Sequence, residues 1–219
     1  DVDQAVEAVR WCVDNGLRAV MIPTLWYGND PYHNVKYDPF WEVCEDLGVI
    51  VHFHSGPAPH AEYFGAGFPV EDKRDELPGA MGIYVSEVMW WLYRPLTFMI
   101  WGGVFERFPR LKVMIVEGGT MFMLPPWLRL MDFHYSEGQI SAKLGNFREH
   151  LSLSPGEYYQ RNVGIGASCV LRPDIDMRDD IGLDKIMWGS DYPHPEGSWP
   201  NTGQYLRDTF ANLPEADGR

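Results

Sequence analysis

This chain has little cysteine, no excess of positive charge and no long apolar run, and each absence removes a class of function. The three cysteines, Cys12, Cys44 and Cys169, are odd in number, widely separated and form no CxxC pair. They read as buried thiols of a reducing compartment, not as a disulfide frame, and a cytoplasmic location is expected. The net charge of −13 leaves no clustered Lys and Arg to bind phosphate backbones, so nucleic acid is not an expected partner. A membrane helix needs about 18 uninterrupted apolar residues. The nearest stretch, Val85 to Val104, carries Glu87 and Arg94 and is broken by Pro95. No membrane partner is expected either. No GxGxxG or P-loop pattern follows any apolar run, which weighs against a nucleotide-binding open sheet.

Apolar residues make up 45% of the 219, enough for the core of a single domain spanning 1–219. Nine Trp, eleven Tyr and eleven Phe exceed what such a core needs, so some should line a cavity or an interface. A homodimer or higher homo-oligomer is expected on that ground. The chain starts at Asp1, directly in an amphipathic helix, and stops at Asp217-Gly-Arg. Both ends read as cut from something longer.

Helix and strand patterns alternate. Val2, Ala5, Val6, Val9, Cys12 and Val13 recur at helical spacing, with Asn15-Gly16 as the stop. Asp38-Pro39 reads as a helix start with Asp as cap, and Gly48 as its stop. Residues 60–82 form a Gly-, Pro- and charge-rich insertion. The stretch 83–105 is mostly helical, kinked or restarted at Pro95. Further helices are expected from Pro125, from Ser154-Pro-Gly-Glu, over 173–181 and around 203–213. Strands are expected at 17–22, 49–53, 111–116, 162–168 and 185–188. This rhythm predicts an α/β protein with a parallel sheet, either a (β/α) barrel or an open doubly wound sheet.

The strand ends carry the chemistry. They present His52 and His54, then Glu117, then Asp191. In a parallel barrel all strand C-termini open to one face, so these residues can meet. Imidazoles and carboxylates converging on one point form the ligand set of a divalent metal such as zinc or manganese. Strand alternation puts His52 and His54 on one side and Phe53 on the other. His54, nearer the strand end, is the better metal ligand, and His52 should lie one layer deeper. Glu117 could instead cap the next helix or pair with an Arg, and Asp191 could cap the turn beyond it. His194 and Glu196 lie on the loop past Asp191 that should roof the site, whereas His33, His60, His134 and His150 are expected in solvent. Trp26, Tyr27, Phe64 and Trp199 occupy loops expected at the mouth.

The phrases IVHFHSG, FERFPRLKVMIVEGG and KIMWGSDYPHPEG resemble the amidohydrolase-2 family of the amidohydrolase superfamily, in matching order over nearly the whole chain. That family includes aminocarboxymuconate semialdehyde decarboxylase and resorcylate decarboxylases. The resemblance implies an eight-stranded TIM barrel, of which this sequence matches strands four to eight. It implies a divalent metal at the strand C-termini, zinc first with manganese or iron as alternatives. It also implies hydrolysis or non-oxidative decarboxylation of a small organic acid, an aromatic one included, or an amide. By position, His54 matches the metal-binding His of strand five. Asp191 matches the Asp of strand eight that binds metal or shuttles a proton. The strand-six position, commonly His in the decarboxylases, is Glu117 here. The first-strand HxH or ExH ligands have no match. On this reading Asp191, Glu117 and His194 are catalytic, His54 and Asp191 hold the metal, and His52, Glu196, Trp199 and Trp26 contact substrate. The alternatives are a metal-independent lyase or isomerase barrel, and a barrel kept as a binding or oligomerisation module.

Overall fold

A computed structural model of the protein describes residues 1–24, 28–54, 78–118, 121–137, 143–195 and 197–214. Helix α1 (Val2–Asp14) begins on Asp1, whose carboxylate accepts from the amides of Asp3 and Gln4, and leads to strand β1 (Ala19–Met21). Helix α2 (Asp38–Leu47) stops at Gly48, whose φ of 64° is the left-handed turn that glycine adopts without a Cβ penalty. Strand β2 (Ile50–His54) follows. Asp38 is not the cap expected from Asp-Pro. Tyr37 holds the cap position without a side-chain bond, and Asp38 instead receives two bonds, of 2.9 and 2.8 Å, from the Arg107 guanidinium.

Helix α3 (Ala80–Trp101) runs through Pro95 without a break. A mid-helix proline costs about 3 kcal/mol, but Leu92, Tyr93, Leu96, Met99 and Ile100 around it are all buried. The break falls at Gly102-Gly103, where Gly103 has φ 66° and a Cβ on Gly102 would sit 2.4 Å from that of His33. Helix α4 (Val104–Arg107) then leads to β3 (Val113–Val116), a 3₁₀ turn (Met121–Met123) and α5 (Leu124–Ser136). Helix α6 (Pro155–Asn162) opens on a capping box between Ser154 and Glu157 and runs into β4 (Val163–Ala167). The stretch expected as one helix over 173–181 is two, α7 (Arg172–Asp176) and α8 (Arg178–Ile181). Strand β5 (Ile186–Trp188) and α9 (Thr202–Thr209) complete the series.

All five strands pair in parallel, in the order β1-β2-β3-β4-β5. A doubly wound sheet reverses its strand order at a switch point, whereas a barrel wall adds each strand beside the last. The order here is that of a barrel wall. One sheet face is sealed by helices: Val51, Phe53, Val113, Ile115, Val163 and Ile165 are essentially without exposure. The other face carries Met21, His52 and Met114 in one row, then His54, Val116, Gly166 and Met187 in the next, and is only partly covered. No helix among the described residues is long and apolar enough to cross a membrane. Cys44 is buried, and Cys12 and Cys169 are half-buried.

Candidate metal and acid–base site

The open face ends at a concavity of about 380 Å³, lined by His54, Val116, Glu117, Gly166, Ala167, Ser168, Met187, Trp188, Gly189 and Asp191. Three strand-end residues singled out in the sequence, His54, Glu117 and Asp191, thus reach one hollow. His54 Nε2 lies 3.1 Å from Glu117 Oε2. Asp191 Oδ2 is buried and has no hydrogen bond among the described residues, and His194 Nδ1 lies 3.4 Å from it. A buried carboxylate oxygen without a donor is costly unless something else fills its lone pairs.

Both carboxylates also sit in unusual backbone. Glu117 has φ 54° and Asp191 φ 57°, the left-handed region that non-glycine residues seldom occupy. Such strain costs about 1 kcal/mol or more at each position and gathers where function needs a side chain in one place. The surroundings hold it. Gly118 donates its amide to Gly166 O at 2.8 Å and packs against Ile165. The Asp191 carbonyl accepts from the His194 amide at 2.7 Å, and the Ser198 amide returns to Ser190 O at 3.0 Å, which closes the loop that carries Asp191.

His52 lies where alternation put it, one row below His54 and half-buried beside Met21 and Met114. Burial holds its imidazole below the usual range, so the neutral form is favoured. His194 is more than half exposed at the rim, outside the lining. Trp199 is 64% exposed and meets Tyr192 edge to face at 5.5 Å, so it too stands off the lining. Trp26, Tyr27, His60, Phe64 and Glu196 lie outside the described residues. Of the histidines expected in solvent, His33 and His150 are exposed, with His150 Nε2 2.8 Å from Trp101 O, whereas His134 is half-buried. Ser168 was missed, although it ends a strand just as the other candidates do.

The donors fit a divalent cation in kind, as one imidazole and two carboxylates, and the orphaned Asp191 oxygen fits a ligand position. In number they fall short. Among the described residues no group of three or more His, Cys, Asp or Glu is placed to hold a metal ion. A larger cavity of about 450 Å³ between α1 and α2, lined by Tyr32, Tyr37, Phe40 and Trp41, contains none of these residues.

A family model described as amidohydrolase matches residues 1–218, and the chain belongs to that family. Solved structures share its fold. An amidohydrolase from Mycobacterium avium subsp. paratuberculosis K-10 is 22% identical with a TM-score of 0.74, over 99% of this chain and 52% of that one. The 5-carboxyvanillate decarboxylase of Sphingomonas paucimobilis is 22% identical with a TM-score of 0.72, over 100% and 60%. A dihydroxybenzoic acid decarboxylase from Polaromonas sp. JS666, with bound manganese and 2-nitroresorcinol, is 18% identical with a TM-score of 0.64, over 100% and 62%. The chain therefore spans between half and two thirds of these relatives' length, as a five-stranded part of their barrel fold.

Proposed function

We propose that the protein is a metal-dependent non-oxidative decarboxylase or hydrolase of small organic acids, and that this chain supplies the His54, Glu117 and Asp191 share of its site. The observation that carries the reading is the convergence of these three strand-end residues on one hollow, with a buried Asp191 oxygen left unfilled. The decarboxylases of aromatic acids among the structural relatives, one with manganese, support it. His54 and Asp191 would hold the cation, zinc, manganese or iron, and further ligands would come from another segment of polypeptide. A bound divalent cation supplies polarisation of substrate oxygens and a lowered pKa for water.

The residues of this chain do the rest. Glu117, against His54, would move a proton at the reacting centre. In decarboxylation the C–CO₂ bond breaks, its electron pair stays on the substrate carbon, and a protein acid at this position protonates that carbon. In hydrolysis the same carboxylate takes a proton from water. His194, at the exposed rim, would meet an anionic substrate group. Glu196, Trp26 and Trp199 are proposed as loop contacts to substrate, and His52 as a deeper support.

The test is an assay of the intact natural protein with Mn²⁺ or Zn²⁺, following CO₂ release from hydroxylated benzoates in parallel with amide and ester hydrolysis. Metal-dependent turnover that disappears in Asp191→Ala is expected. The shortfall of ligands among the described residues favours one second reading, a metal-independent lyase or isomerase using Glu117 and Asp191 alone. Full activity in protein shown metal-free by elemental analysis would select it. Binding of substrate without any turnover would select a binding module.

A further inference from the structure

We propose that Asp174 is a positioning residue for this site: its carboxylate ties the segment leaving Glu117 to the segment leaving β4 and so holds Glu117 at the rim. The proposal rests on the reading that Glu117 belongs to the site. Asp174 has no exposed surface. One oxygen accepts the Phe122 amide at 2.8 Å, and the other accepts the Leu171 amide at 2.8 Å. The Leu171 bond is the part Asp174 plays in capping α7, as the third helical residue reaching back to the cap amide. The Phe122 bond is not needed for capping. It crosses to the 3₁₀ turn that follows Glu117, in a part of the chain 52 residues away.

Two points after Glu117, Gly118 and Phe122, are thereby fastened to the β4 unit. At the nearer point, Gly118 donates to Gly166 O and lies against Ile165. At the farther point Asp174 grips Phe122. Glu117 stands between the end of the β3 ladder at Val116 and these two successive anchors, so a left-handed glutamate there cannot relax to an ordinary strand exit without straining the Gly118 bond and, next along the chain, the Phe122 bond. A carboxylate removed from water persists only where donors fill its lone pairs, so Asp174 in turn requires both segments in place. The same loop after β4 brings Ser168 to the hollow.

Asp174→Asn keeps the volume and one carbonyl acceptor but sets an NH₂ group against a backbone N–H. In the intact protein, hydrogen exchange at the Gly118 amide, which Asp174 does not touch, should quicken about tenfold or more while the β3 amides keep their protection. With Glu117 present, Asp174→Asn should lower kcat about tenfold to a hundredfold with KM within about twofold, and it should cost nothing further once Glu117→Gln is in place. Equal losses in both backgrounds, or exchange that quickens evenly along β3 and β4, would make Asp174 merely structural and overturn the proposal. Turnover indifferent to Glu117→Gln would refute the functional reading instead, and exchange at Gly118 then decides the role of Asp174 alone. Should Asp174→Asn fail to fold, Asp174→Ser is read by the same exchange measurement.

Discussion

The Nε2 atom of His54 lies 3.1 Å from Oε2 of Glu117, across the seam where β2 and β3 end side by side. His54 pairs in register with Val116, so Glu117 is the first residue beyond the ladder and bends back to meet the imidazole. The two side chains are therefore expected to act as a unit. His54→Gln and Glu117→Gln should be non-additive in a double-mutant cycle of Mn²⁺ affinity, with a coupling of about 0.5 to 3 kcal/mol. Isothermal titration of the two single variants and the double variant measures it. Simple additivity would mean that the contact carries no function.

Asp191→Asn should separate stability from function. Asn tolerates the left-handed backbone as well as Asp does, and it removes a charge whose Oδ2 is buried without a hydrogen bond. The variant is expected to melt at or above the wild-type temperature while Mn²⁺ affinity and turnover fall at least about tenfold. A large drop in melting temperature would show that the carboxylate is a structural group.

The sequence carried the strands well and the rim poorly. Short apolar runs and Gly or Pro stops located all five strands to within about two residues, because each central strand has one face sealed against helices. His54, Glu117 and Asp191 were legible as strand-end residues for the same reason. The left-handed φ of Glu117 and Asp191 was not, since neither is glycine and the strain is imposed by the tertiary anchors around it. Of the two outcomes expected at Pro95, a restart does not occur, because local propensity gave way to the burial of its neighbours on α3. Asp174 was invisible because its second partner, Phe122, is remote in sequence.

Gly197→Ala tests how tightly the Asp191 loop is closed. A Cβ at Gly197 would lie 2.6 Å from Ser190 O and 2.9 Å from Asp191 O, both backbone atoms that cannot turn aside. The loop must then open at the Ser198–Ser190 bond and carry Asp191 with it. A destabilisation of about 1 to 3 kcal/mol is expected, with a loss of turnover larger than that of a matched alanine at the exposed Gly203. Chemical denaturation and steady-state kinetics on the same sample decide the matter, and unchanged kinetics would free Asp191 from the loop.

Glu106 governs the acid side of stability, away from the site. Its carboxylate receives the Tyr158 hydroxyl in a short hydrogen bond and the Ser152 hydroxyl at 2.9 Å, which joins α4 to the approach to α6. The Tyr158 bond first, and then the Ser152 bonds, hold the Glu106 pKa below its ordinary 4.5. A depressed carboxylate binds fewer protons folded than unfolded, so its contribution is complete above the unfolded value and disappears as pH falls through the folded one. Glu106→Gln should therefore lower stability at pH 7, and the gap to wild type should narrow steadily once the pH drops below 4.5. Urea melts of both proteins across that range measure the gap. A difference that stays constant with pH would assign the effect to packing against Tyr158, not to the charge.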